Sequence, residues 1–170
     1  MTVPPINLAA INLAAINLAA VDLPATRTAV VERAKQLRPE LAADGPRIDA
    51  ESSDPAHNME VLGAAGLHRI NVPVEFGGLW DGGPYGGWRE LIEASIEIAA
   101  ADGSTAQCWG TTTLVAREIY ASDLAVETKQ LLADEIMHEG RRFVASNAET
   151  GGPGRVVGRH VPGGLVVSGT

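Results

Sequence analysis

In the stretch FVASNAETGG, Phe143 to Gly152, an apolar run gives way to Ser146 and Asn147 where a strand pattern meets a turn pattern. A hydroxyl and a backbone N–H at a strand end can hydrogen-bond the edge of a planar heteroaromatic ring; the plainer reading is a turn. Trp109, Thr111, Thr112 and Thr113 fall on one helical pattern. Either their side chains face a pocket, with Trp109, Thr112 and Thr113 as its lining, or the hydroxyls bond back to carbonyls of their own helix. The cluster Gly82–Gly87 precedes a helix start, where backbone N–H groups and the helix dipole can hold phosphate. No strand, lysine or Ser/Thr of a phosphate loop accompanies it, so a loop entering a helix is the default. Asp102, Gly103 and Ser104 are explained by turn and cap chemistry. His57, His68, His138 and His160 are scattered without paired ligand spacing, which indicates no metal site. Glu75 and Glu149 have no sequence-near partner for acid–base work, so surface or turn roles are expected.

Those residues need elements to position them, and bulk properties bound the choice. A chain of 170 residues is one domain, or one and a fraction. Abundant alanine and few aromatics favour helices packed closely through small side chains. The net charge is −8 and no basic block occurs, which excludes nucleic acid as a natural partner. Cys108 is the only cysteine, which rules out an internal disulfide and fits a reducing cytoplasm. No apolar run approaches the ~20 residues of a spanning helix. No basic residue precedes Arg27, so the charged start of a signal peptide is absent.

Residues 1–25 read as a low-complexity extension. INLAA occurs three times in tandem from Ile6, followed by VDLPA from Val21. A five-residue step advances an α-helix by about 140° net, so the isoleucines make no stripe. The pattern resembles pentapeptide repeats, with Leu8, Leu13, Leu18 and Leu23 inward, but four units make only one coil and such coils need stacked neighbours. A loose or partly helical tandem duplication without a function is the favoured reading.

Residues 26–140 read as a helical domain. Val30, Ala34, Leu37 and Leu41 predict a helix to about Ala43, kinked at Pro39, followed by a linker DGPRIDAESSD. Asp54-Pro55 reads as N-cap and first helical residue of a second helix that runs to Ala65 and closes on Gly66. HRINVPV is expected to be extended, because the residue before Pro73 avoids the helical region. A third helix should bury Trp88, Leu91, Ile92, Ser95, Ile96 and Ala99; a fourth, capped by Ser104, should reach Tyr120. A fifth, capped by Ser122 or Asp123, should carry Leu124, Leu131, Leu132 and Ile136 and stop at Gly140. From 141 to 170 the pattern changes: RRFVASNA and GRVVGRHV predict strands, and GGLVVSGT a hairpin return after Pro162-Gly163-Gly164. The fold class expected is mainly α with a short β segment at the C-terminus. A sheet that stops at Thr170 would keep an unpaired edge, which points to a truncated product or a missing partner.

In order along the chain, AAGLHRINVPVEFGG, EASIEIAAADGST, EIY, FVASNAETGG and GGLVVSGT resemble the N-terminal part of the acyl-CoA dehydrogenase family, over roughly Val30 to Thr170. The resemblance implies an N-terminal helical domain followed by the opening of a β domain. It implies an elbow at Pro73 and Gly77-Gly78 that sets the helical domain beside a flavin and substrate cleft. It implies FAD with its isoalloxazine ring against the first strand, contacted by Ala145, Ser146, Asn147 and Ala148. Relatives usually read LTEP or LSEP there; Ser146 supplies the hydroxyl, while Asn147 stands for the usual Glu and Ala148 for the usual Pro. Related flavin-dependent monooxygenases of the same fold, using reduced FMN or FAD from a reductase, also vary at these positions. The implied substrate is a small molecule, an acyl thioester in the dehydrogenase case, in a pocket reached by Trp109, Thr112 and Thr113. Relatives are homo-oligomers assembled through a C-terminal bundle that also carries the catalytic carboxylate. The resemblance therefore assigns no catalytic residue within this chain, and the 170 residues alone are expected to bind FAD poorly and not to turn over. A non-catalytic helical interaction protein is the alternative from another class.

Overall fold

The computed structural model describes residues 22–83, 86–138, 142–143 and 156–169. Among these the protein is mainly helical, with a short two-stranded antiparallel sheet near the C-terminus. The helices are α1 (Arg27–Glu51), α2 (Ala56–Ala64), α3 (Trp88–Ala101), α4 (Gly103–Ala121) and α5 (Val126–His138). Two 3-10 turns, Leu67–Asn71 and Val74–Phe76, link α2 to α3, and strands β1 (Val156–Val161) and β2 (Gly164–Gly169) follow the helices.

The Thr26 hydroxyl caps α1 by accepting from the Ala29 N–H at 3.1 Å. The helix buries Val30, Val31, Ala34, Leu41 and Ile48 and packs chiefly along α3. It continues through the expected linker to Glu51 and contains both Pro39 and Pro46. Both prolines are exposed, so the carbonyls they leave without an N–H donor can turn to water. Arg47, paired with Asp44 at 2.7 Å and Glu51 at 2.8 Å, supports the last turns. Ser52, at φ 48° and ψ 42°, closes the helix.

Pro55, not Asp54, occupies the N-cap of α2, and no side chain caps it. The Asp54 carboxylate instead meets Arg142 at 3.0 Å. Gly66 does take the left-handed conformation, φ 77°, just after α2. The next residues depart from the expected extended run: His68 to Asn71 coil into a 3-10 turn, and only Val72 and Pro73 are extended. The steric rule at proline governs one preceding residue, and that residue is Val72. Pro73 forms a bridge with Trp80, the Trp80 N–H donating to the Val72 carbonyl at 3.0 Å and the Val74 N–H to the Trp80 carbonyl at 2.7 Å.

The buried stripe of α3 is Leu91, Ala94 and Ile98, whereas Ile92 and Ile96 are 53% and 59% exposed. Leu91 of the expected face is buried, and the rest of the stripe is rotated toward Ala94 and Ile98, which share a core cluster with Val30, Val31 and Ala34 of α1. Asp102 caps α4, its carboxylate accepting from both the N–H and the hydroxyl of Thr105. Ser104, already the second residue of the helix, stands two residues too close to that third helical N–H to do so. On α5 the buried residues are Ala133 and Ile136 and Leu131 is exposed; Leu124, expected on this helix, precedes it and is exposed too. The expected stop at Gly140 lies outside the described residues.

The core has two clusters. One gathers Leu41, Leu62, Leu67, Ile70, Ile98 and Trp109 between α1, α2, α3 and α4. The other gathers Val72, Phe76, Trp80, Ala116, Tyr120 and Ile136 under the elbow, with Phe143 at its edge. The hairpin matches expectation: Val161 pairs with Gly164 across the Pro162-Gly163 turn, and Val156 with Gly169 at the far end. Arg142 and Phe143, expected in a strand, are not in one.

Candidate functional site

The pocket-lining candidates lie on the inner face of α4. Trp109 is fully buried, and Thr112 and Thr113 are nearly so. The threonine hydroxyls donate to carbonyls one turn back: Thr111 to Gln107 at 3.0 Å, Thr112 to Cys108 at 3.1 Å, Thr113 to Trp109 at 2.9 Å. Of the two sequence readings, back-bonding is the arrangement present in this structure. The Trp109 indole Nε1 has no hydrogen-bond partner.

Ala145, Ser146, Asn147 and Ala148, the flavin contacts implied by resemblance, lie outside the described residues. What the structure describes is the ground they leave from. Arg142 is tied to Asp54, and Phe143 packs at the edge of the elbow cluster. On the first 3-10 turn, His68 and Asn71 are both buried, and their spacing of three puts them on one face. His68 Nδ1 and both amide atoms of Asn71 have no partner. Burial drives the His68 pKa down to about 4, the Met59 backbone opposing and Arg142 adding to the fall, so the ring is neutral at pH 7. A neutral imidazole and an amide fit a neutral polar group with donor and acceptor edges. The pyrimidine edge of a flavin has that character, as does an ordered water.

Two other polar groupings are built deliberately into the interior. The Asn58 amide on α2 donates to the Leu41 carbonyl at 3.1 Å and to Thr105 Oγ1 at 3.0 Å, so one side chain ties α1, α2 and α4. Arg117 on α4 lies with its guanidinium carbon 4.9 Å from the ring centroids of both Trp80 and Trp88. It donates to the Gly86 carbonyl at 2.9 Å, while Nε and Nη2 have no partner. Neither grouping was singled out in the sequence. The signal for Arg117 was a lone cation among the inward positions Thr113, Ala116 and Tyr120.

The remaining sequence candidates do not converge. Glu75 is exposed on the second 3-10 turn, and Cys108 is half-buried on α4, where burial raises its thiol pKa. His57, His68, His138 and His160 stand on α2, the first 3-10 turn, α5 and β1; among the described residues no three His, Cys, Asp or Glu side chains form a metal-ligand set. Also among the described residues, no helix is long and apolar enough to cross a membrane. Glu149 lies outside the described residues. Comparison of the chain with protein-family models, with curated proteins and with solved structures finds no match.

Proposed function

We propose that this chain carries the N-terminal helical domain and the opening of the β domain of an FAD-dependent oxidoreductase of the acyl-CoA dehydrogenase type. The observation that carries the reading is the order of elements around the elbow. A helix ends at a left-handed Gly66, a Pro73-Val74 turn and Gly77 follow, a helical hairpin breaks at Asp102, and a two-stranded hairpin comes after the helices. The unpartnered Asn71 amide and His68 Nδ1 support it further, since they call for a neutral polar partner.

In this reading the protein is cytoplasmic and its substrate is an acyl thioester. Bound FAD would supply hydride acceptance. This chain would supply orientation: the Ser146 hydroxyl and the amides from Ala145 to Ala148 against the ring. The catalytic carboxylate is not assigned to any residue of this sequence. A second reading, the oxygenase component of a flavin-dependent monooxygenase, is favoured by Asn147 and Ala148 where dehydrogenases carry Glu and Pro.

The test is a flavin titration of the purified chain, alone and with the C-terminal half of such an enzyme supplied in trans. Yellow colour that appears only with the added half, and bleaches with acyl thioester, supports the dehydrogenase reading. Colour without thioester bleaching, together with oxygen consumption by the reduced complex, supports the oxygenase. A folded, monodisperse and colourless chain under every condition contradicts both and leaves a helical interaction protein.

A further inference from the structure

A cleft of about 480 Å³ opens at the surface between the start of α1, the elbow and α3. Arg27 and Thr28 line it from the first turn of α1, Arg69 from the first 3-10 turn, Val74 and Leu79 from the elbow, and Glu90 from α3. Its size is that of an ordinary small-ligand pocket.

Two guanidinium groups on its walls are open to solvent. Arg69 is held by backbone alone: it donates to the Pro24 carbonyl at 2.8 Å and to the Gly77 carbonyl at 3.1 Å, and among the described residues no carboxylate pairs with it. Those two bonds use only part of the guanidinium fork. Arg27 is loosely engaged, with long contacts to the Leu79 carbonyl at 3.4 Å, to Asp81 at 3.4 Å and to Glu90 at 3.7 Å. Its side chain is 31% exposed and Arg69 is half-buried, so solvent reaches both. Glu90 is the one carboxylate on the cleft wall, against two arginines, in a chain of net charge −8. Beside the cations lies an apolar surface: Val74 is exposed, and Leu79 is half-buried next to it in the cleft.

We propose that this cleft binds a small amphipathic acid, whose phosphate or carboxylate group meets Arg69 and Arg27 and whose apolar body lies on Val74 and Leu79. Arg69 offers a fork already fixed by two carbonyls, so little side-chain freedom is lost on binding, and its planar donors suit two-oxygen groups. Arg27 exchanges its long contacts to Asp81 and Glu90 for the ligand's oxygens, and a partly exposed pair at such distance costs little to give up. The inference does not depend on flavin binding.

The test is an amide nuclear magnetic resonance titration of the isotope-labelled whole chain with phenyl phosphate, with benzoate and with uncharged benzyl alcohol, at constant ionic strength. The expected result is saturable shifts at Arg27, Thr28, Arg69, Val74 and Leu79 with the acids and none with the alcohol. Phenyl phosphate binding more tightly identifies a phosphate ester, and benzoate binding more tightly a carboxylate. Loss of a charge-assisted contact in Arg69→Gln should weaken binding about tenfold or more. That variant also gives up the bonds to Pro24 and Gly77, so two variants that keep them carry the decision. Arg27→Gln should weaken binding several-fold. Val74→Asp, which puts a second carboxylate into the cleft from an exposed position, should weaken it about tenfold or more. Shifts that do not saturate with either acid, equal shifts with benzyl alcohol, or an affinity unchanged in Arg27→Gln or in Val74→Asp overturn the proposal.

Discussion

The Asn58 amide nitrogen lies 3.0 Å from Thr105 Oγ1 and 3.1 Å from the Leu41 carbonyl oxygen, so a single buried side chain joins three helices. Thr105 is itself fixed by the Asp102 cap, which makes the start of α4 the anchor of this network. The helical domain should therefore be sensitive there. Asn58→Leu removes both bonds while the Thr105 hydroxyl keeps its bond to Asp102, which should cost about 1–3 kcal/mol. Urea unfolding followed by far-ultraviolet circular dichroism measures this. A loss under about 0.5 kcal/mol would show that the network holds nothing together.

The elbow should refuse any side chain at Gly78. A Cβ there would stand 1.8 Å from the Val72 carbonyl oxygen, a backbone atom that cannot step aside without breaking the Trp80–Val72 hydrogen bond. Gly78→Ala should destabilise by at least about 2 kcal/mol and raise hydrogen exchange from Val72 to Trp80. Wild-type stability and exchange in that variant would mean that the bridge at Pro73 and Trp80 is not the resting arrangement.

His68 gives a pH dependence with a definite sign. Its folded pKa is about 4 against an ordinary value of 6.5, so between those values the unfolded chain binds the extra proton. The contribution of the neutral ring is fully present above about pH 6.5 and is lost as the pH falls toward 4. Its upper bound is about 3 kcal/mol. The urea midpoint should fall between pH 7 and pH 4.5, and His68→Phe should flatten that slope. An equal slope in the variant would assign the acid sensitivity elsewhere.

The register of α3 can be read by paired substitutions. Ile98→Ala empties a fully buried site and should cost about 2–5 kcal/mol. Ile92→Gln and Ile96→Gln, on the exposed face, should each stay within about 0.5 kcal/mol of the wild type. Thermal unfolding of the three variants distinguishes this face from the one expected on periodicity, which predicts large losses at Ile92 and Ile96.

These contrasts show which features were legible in the chain. The Pro162-Gly163 hairpin, the glycine after α2 and the break at Asp102 are local matters, set by φ preferences and capping reach over a few residues. Leu91 was expected inside and is buried, but the rest of the α3 face was misread because bulky Ile92 and Ile96 look better suited to a core than Ala94, which shares a cluster with Val30, Val31 and Ala34 of α1. The extent of α1 was hidden by Pro46, whose harm depends on which side faces water. Arg117 could not be recognised beforehand, since its two indole partners stand 37 and 29 positions away in sequence. The choice for Thr112 and Thr113 between pocket and back-bonding was open by chemistry, because a helical threonine hydroxyl can do either.

In the proposed flavoprotein the segment from Ala145 to Ala148 would lie against the flavin ring. Hydrogen–deuterium exchange of the trans-complemented assembly, with and without FAD, addresses it at the residues concerned. The account predicts slowed exchange of the amides from Ala145 to Ala148 when FAD is added, and its loss of magnitude in Ser146→Gly. Flavin bound at full occupancy with exchange unaltered across those four residues would contradict it.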